Sequence, residues 1–224
     1  MRSSYKLAIS LSFLFLPVIC ATGQYGGWAY AGYKYNKASI APFTTGLSAN
    51  IYTINPVVYD AHLAEWISVT FQSNNPRTPY YWVQLGYWKS PSYGLHYYYE
   101  WWDQNGYSGP QFLGYGPGPG TTHLYFVQKT GVTFTTWYYY IDYYLIASKY
   151  LSLPSPYAVD LRAEAEVSYT TNNPPKTSIT GTHFSYLEYN YGGSWSLWDQ
   201  HSVVLDPPYH IIEVSDYEFY AYGP

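Results

Sequence analysis

Apolar and polar side chains alternate with a period of two along most of this chain, and almost nowhere with the period of a helix. A period of two sends successive side chains to opposite faces of a strand. Over 80–88 it puts Trp82, Gln84, Gly86 and Trp88 on one face and Val83, Leu85 and Tyr87 on the other. Over 98–102 Tyr98, Glu100 and Trp102 share a face. Over 160–169 Ala163, Ala165 and Val167 form an apolar face, while Arg162, Glu164, Glu166 and Ser168 point the other way. The pattern predicts strands over 27–35, 46–54, 63–72, 80–88, 94–102, 123–130, 132–140, 142–150, 159–169, 177–189 and 201–205. Breakers such as Ser73-Asn74-Asn75-Pro76 and Thr171-Asn172-Asn173-Pro174-Pro175 fall between them, and the Gly-Pro tract over 114–120 reads as a loop. About eleven strands in a chain of this size predict an all-β protein, an antiparallel β-sandwich of two packed sheets in a single domain.

Composition reinforces the strands. Aromatic residues make up 22% of the chain, with 32 Tyr, and aromatic and β-branched residues favour extended backbone. The runs at 97–102 and 137–144 are aromatic without strict alternation, so either both faces are covered or one lines an aromatic groove. Within that aromatic wall Gln84 and Glu100 are conspicuous, because an amide or a carboxyl is costly to bury without partners. If Gln84, Glu100 and the Glu164/Glu166 pair converge on one sheet face, they make a candidate site.

The first residues read as a leader rather than as part of the fold. Arg2 and Lys6 precede an apolar run from Leu7 to Cys20, and Ala21-Thr22-Gly23 offers small residues for cleavage. That is the pattern of a secretory signal peptide over 1–23, leaving 24–224 as the domain, with secretion and no stable membrane insertion after its removal. The one Cys and the one Met, Cys20 and Met1, both lie in that leader. The rest of the chain then has no disulfide and no thiolate metal site.

Charge narrows the partners. The chain carries 10 Lys+Arg and 14 Asp+Glu, and loss of Arg2 and Lys6 with the leader moves the net charge from −4 to −6. No basic stripe is present to meet a phosphate backbone, which excludes a nucleic-acid partner. With few ion pairs to lose when carboxylates protonate, the composition suits an acidic exterior. His62, His96, His123, His183, His201 and His210 show no close metal-ligand spacing, and no Gly-x-Ser-x-Gly or phosphate-loop element occurs. No metal and no cofactor are expected.

Four segments, in order, resemble a known family. They are Ala64-Glu65-Trp66-Ile67-Ser68-Val69, Trp82-Val83-Gln84-Leu85-Gly86, Tyr98-Tyr99-Glu100-Trp101-Trp102 and Ala163-Glu164-Ala165-Glu166-Val167. The succession is similar to that of the glutamic peptidases, or eqolisins, and Gly86-Tyr87-Trp88-Lys89-Ser90-Pro91 approximates a stretch of the related neprosin group. The resemblance covers about 27–169, and Gly27-Trp28-Ala29 is similar to the family's opening. It implies a jelly-roll, concanavalin-like sandwich and a Gln/Glu dyad that activates water for peptide-bond hydrolysis. By the resemblance Gln84 is the oxyanion donor and Glu164 the general base. Such a base is expected to act ionised, in a secreted acid endopeptidase with a polypeptide substrate. Trp66 and Glu100 match positions lining the substrate groove, and Tyr98 and Trp82 join them as substrate-binding candidates. The chain departs from the family at Ala165, where an aromatic is expected after the glutamate, and at Thr70, where an acidic residue is expected. Ala165-Glu166 is a second Ala-Glu, so the base is Glu164 or Glu166.

Other readings remain open at this level. Glu100 has Lys89 as an alternative partner, and Asp142 reads as a hydrogen-bonded structural carboxylate. The Trp and Tyr content also suits a carbohydrate-binding, lectin-like sandwich. Low charge suits a surface or filament subunit that self-assembles, with the segment Tyr217 to Tyr222 as an exposed strand for a neighbour.

Overall fold

The structure, a computed structural model, describes residues 27–72, 80–131, 135–153, 157–169 and 174–224. The expected leader over 1–23, the predicted strand start at Val132, the first Asn-Pro breaker and most of the second lie outside the described residues. Among the described residues sixteen strands form: β1 (Gly27–Tyr35), β2 (Thr44–Tyr52), β3 (His62–Gln72), β4 (Tyr80–Lys89), β5 (His96–Asp103), β6 (Gly106–Tyr107), β7 (Gln111–Phe112), β8 (Thr122–Lys129), β9 (Thr136–Ile141), β10 (Tyr144–Tyr150), β11 (Ala158–Tyr169), β12 (Thr182–Tyr191), β13 (Ser194–Leu197), β14 (Ser202–Leu205), β15 (His210–Ser215) and β16 (Glu218–Tyr222). They make two antiparallel sheets that do not close into a barrel. The first runs β14-β1-β11-β3-β4-β5-β6, with β7 also on β5; the second runs β10-β9-β8-β2-β12-β16-β15, with β13 on β12. The sandwich read from the alternation is the architecture found.

One face of each sheet is buried against the other. In the first, Tyr33, Leu63, Ile67, Val69, Val83, Leu85, Tyr87, Ala163 and Val167 turn inward; in the second, Leu47, Ala49, Tyr125, Val127, Tyr139 and Phe184 do. The core is aromatic: Trp137, Tyr33, Tyr35, Tyr87, Tyr125 and Tyr139 are fully buried. Each such ring hides enough area for roughly 4–6 kcal/mol of apolar transfer, an upper bound against an extended chain. Inward alternation on β3 is broken once, by Glu65, which is fully buried between Leu63 and Ile67 and accepts a hydrogen bond from the Thr182 hydroxyl (2.6 Å).

Strands too short to show alternation, β6 and β7, are absent from the sequence pattern. At the carboxy terminus the Tyr side chains of β16 mask the alternation that buries Phe219 and Ala221. That strand is no free edge: it pairs with β12 on one side and β15 on the other, so the expected exposed strand over 217–222 is corrected. Asp142 falls in the turn between β9 and β10 rather than in a strand. Its carboxylate accepts from Leu124 N–H (2.9 Å) and bonds His123 Nδ1 (2.6 Å), a structural role.

Candidate active site

The outward face of the first sheet carries the site. Cross-strand register lays three rows over β11, β3, β4 and β5: Arg162–Ser68–Gln84–Glu100, then Glu164–Trp66–Gly86–Tyr98, then Glu166–Ala64–Trp88–His96. A groove of about 660 Å³ lies over these rows. Gln84, Glu164, Glu166, Trp66, Glu100, Tyr98 and Trp82 all line it, so the structure brings every candidate residue together.

Two glycines make the floor possible. A Cβ on Gly86 would strike the Glu65 carbonyl oxygen and come within 2.8 Å of Trp66 Cα, and one on Gly32 would lie 2.7 Å from Glu164 Cγ. The missing side chains leave room for the Trp66 ring and the Glu164 carboxyl. Gly86→Ala is therefore expected to destabilise by at least the roughly 1–3 kcal/mol of ordinary overpacking, read as a lower midpoint in urea unfolding. An unchanged midpoint would refute this packing account.

Register also separates the two candidate bases. With strands ~4.8 Å apart and ~3.4 Å per residue, Gln84 lies two strands from β11, one row from Glu164 and two rows from Glu166. Glu164 is the nearer. It is also the one left open: its carboxyl is 0% exposed, and neither oxygen accepts a hydrogen bond from any described residue. Arg162 stands 3.6 Å from Oε1 and spends its Nε on Asp160 at 3.1 Å. Burial pushes the Glu164 carboxyl up to about 8, and the Arg162 charge offsets only part of that. Glu166 is instead engaged by His62 Nε2 at 3.1 Å.

Gln84 sits in a closed polar network. Its Nε2 donates to the Tyr98 hydroxyl (2.8 Å) and to Glu100 Oε1 (3.0 Å), which uses both amide protons. Tyr107 donates to Glu100 Oε2 at 2.6 Å. Burial pushes Glu100 up to about 7, against the lowering effect of the Tyr107 hydrogen bond. Lys89 is not its partner: that ammonium donates to Asn55 Oδ1 (2.7 Å) and the Pro56 carbonyl, which corrects the alternative pairing.

Sequence reading missed Tyr107, Tyr30 and His62. Tyr107 comes from two-residue β6, which leaves no periodic trace. Tyr30 had a signal, since it alternates with Trp28 on β1 and pairs in register with Glu166. Its ring packs edge-on to Trp66 at 6.4 Å, and burial holds its hydroxyl far above the usual phenol range. Among the described residues no group of three or more His, Cys, Asp or Glu is placed to hold a metal ion. The groove thus holds an amide, two carboxyls that burial pushes up, a third carboxyl engaged by His62, the Arg162 guanidinium and aromatic walls.

No protein-family model matches the chain, and no curated protein matches its sequence. Solved structures do. Scytalido-glutamic peptidase with a peptide-based transition-state analogue superposes with a TM-score of 0.59 at 13% identity, covering 87% of this chain and 98% of that one. The same peptidase with a transition-state analogue inhibitor gives 0.59 at 12% identity, over 87% and 98% of the two chains. SCP-B, a member of the eqolisin family in complex with the tripeptide Ala-Ile-His, gives 0.53 at 12% identity, over 86% and 96%. The fold of this chain is that of the glutamic peptidases.

Proposed function

We propose that the protein is a secreted endopeptidase that hydrolyses peptide bonds in acid, with Gln84 and Glu164 as its working pair. The observation that carries this reading is Glu164: a fully buried carboxyl that accepts no hydrogen bond from any described residue and has Arg162 3.6 Å from Oε1, in one groove with Gln84, on a glutamic-peptidase fold. Export through the 1–23 leader belongs to the same proposal.

An ionised base was the expectation from sequence, but burial keeps Glu164 protonated through the acid range. A neutral carboxyl can serve both halves of the reaction. Its O–H donates to the scissile carbonyl oxygen while its other oxygen takes a proton from the attacking water, whose oxygen bonds to the carbonyl carbon. A neutral gem-diol results, and the carboxyl is neutral again with its proton on the opposite oxygen. In the second step that proton passes to the amide nitrogen, a diol hydroxyl returns its proton to Glu164, and the C–N bond breaks to give an acid and an amine. Gln84 donates to the carbonyl oxygen in both steps, for which it must release one of its present acceptors. Neutral Glu100 holds its N–H less tightly than the carboxylate would, so protonation of Glu100 makes this acceptor easier to exchange for the substrate oxygen than it is when ionised.

The test is digestion of a denatured protein, insensitive to chelators and pepstatin-type inhibitors, followed across pH. Glu100 and Glu164 both have raised values, so their neutral forms persist below about 7 and about 8 respectively and are lost above. kcat/KM is expected to be flat across the acid range and to fall above neutrality. A rate that instead climbs tenfold per pH unit between about 3 and 6 would identify an ionised base and overturn the neutral-carboxyl mechanism.

A further inference from the structure

The second sheet has a recess of its own, of about 320 Å³, on the outward face of β8, β2 and β12. It is far from the groove in the fold, since the two lie on opposite faces of the sandwich. Its wall is aromatic. Phe126 stacks on Tyr140 with ring centroids 4.4 Å apart and planes 6° off parallel, meets Trp195 edge-on at 6.1 Å, and lies 5.8 Å from Tyr143. Gly46 clears the way for Trp195, because a Cβ there would come within 3.0 Å of Cη2. Tyr186 and Leu124 complete the apolar lining, and the polar part is Ser48, which donates to Glu188 Oε2 at 3.2 Å, and Asn50.

Backbone strain marks the same place. Among the described non-glycine residues only Asp142, Tyr143 and Tyr186 have positive φ, at 49°, 68° and 52°. Tyr143 and Tyr186 both line the recess, and they stand 80% and 60% exposed. A left-handed aromatic residue costs roughly 1–2 kcal/mol that glycine would not. The fold thus holds two exposed rings at positions where glycine would be more stable, and both rim one recess. The backbone is set there by the two-residue turn between β9 and β10 and by the irregularity of β12 between Ser185 and Glu188, and tyrosine in place of glycine puts a ring on the rim at each.

The lining selects the ligand class. Flat aromatic faces beside a hydroxyl, an amide and a carboxylate match a sugar, which has C–H faces to stack and hydroxyls to bond. Among the described residues no Lys, Arg or His lines the recess, so the lining offers an anionic ligand no counter-charge. β8, β2 and β12 are interior strands, paired on both sides, so a peptide cannot add as a further strand. We propose that this recess binds a neutral pyranose sugar, giving the protein a carbohydrate contact on the sheet opposite the groove.

The experiment is calorimetric titration of the full chain with cellohexaose, chitohexaose and mannohexaose, on wild type and on Tyr143→Gly, Tyr186→Gly and Trp195→Leu. At least one oligosaccharide is expected to bind, with affinity at least about tenfold weaker in each variant. The two glycine variants are expected to melt at or above the wild-type temperature, and cleavage of a short soluble peptide is expected to stay unchanged in all three. Absence of binding by all three sugars, or binding that survives the substitutions, overturns the proposal. So does concentration-dependent dimerisation abolished by the same variants, which would assign the recess to a second copy of the chain. Should a glycine variant not fold, Trp195→Leu alone decides.

Discussion

Glu164→Gln is expected to lower kcat for peptide hydrolysis by about 10²–10⁴-fold while leaving the protein folded. Glutamine keeps the size of the side chain but can neither release a proton to the carbonyl oxygen nor pass one to the leaving nitrogen. The same substitution is expected to change stability in a pH-dependent way. Burial raises the folded-state pKa of Glu164 from 4.5 to about 8, so the folded protein holds this proton more tightly than the unfolded chain. The stabilisation is complete below the unfolded value and is lost as pH rises through the folded one. A gap of this size corresponds to something on the order of 4–5 kcal/mol across the full range. Glu65, at about 8, and Glu100, at about 7, act with the same sign for the same reason. Urea unfolding of the wild type should therefore show greatest stability near pH 4 and a marked loss by pH 9. Glu164→Gln should lose less over that interval, because one of the three buried protons no longer titrates. Parallel curves for the two proteins would mean that Glu164 is solvated in the folded state, and the neutral-carboxyl mechanism would go with it.

Gln84→Ala is the second large effect. Loss of the amide donor is expected to cut kcat by about 10²–10³-fold, about 3–4 kcal/mol of barrier, with little change in KM, since the donated bond strengthens as charge develops on the substrate oxygen. Glu100→Gln separates this role from mere packing. It makes permanent the neutral state that Glu100 otherwise reaches only in acid, so activity in acid should be retained and the upper limb of the pH profile should move from about 7 towards the value of Glu164. A profile unchanged by Glu100→Gln would show that this carboxyl does not control the amide.

The sequence pattern was most informative where one face is buried. Parity along 80–88, 98–102 and 160–169 sorted the site residues from the core residues correctly, because the side-chain period of a strand leaves no freedom once one face faces the core. Parity put Gln84, Glu100 and the Glu164/Glu166 pair each on one face of its own strand; that these faces lie on one side of one sheet follows from the pairing of β11, β3, β4 and β5. Parity cannot supply register, and register sets which glutamate is nearer: only the ladder from β11 through β3 to β4 puts Glu164 a row closer to Gln84 than Glu166. The Tyr107 contact was invisible because it comes from two residues added to the edge of β5. Glu65 was visible and passed over. A carboxyl at the centre of the apolar parity Leu63, Ile67, Val69 and Phe71 is a buried titratable group by pattern alone.

The walls of the groove have an optical consequence. Of the nine tryptophans, Trp28, Trp66, Trp82, Trp88 and Trp102 line it, so indole emission from this protein reports mainly on one cavity. Trp82 and Trp102 lie 5.1 Å apart between ring centroids, close enough for their excited states to interact. An unlabelled peptide that displaces solvent from those rings would register directly in the intrinsic fluorescence. Occupancy of the groove can thus be followed in the Glu164→Gln protein, where no product forms to reveal it.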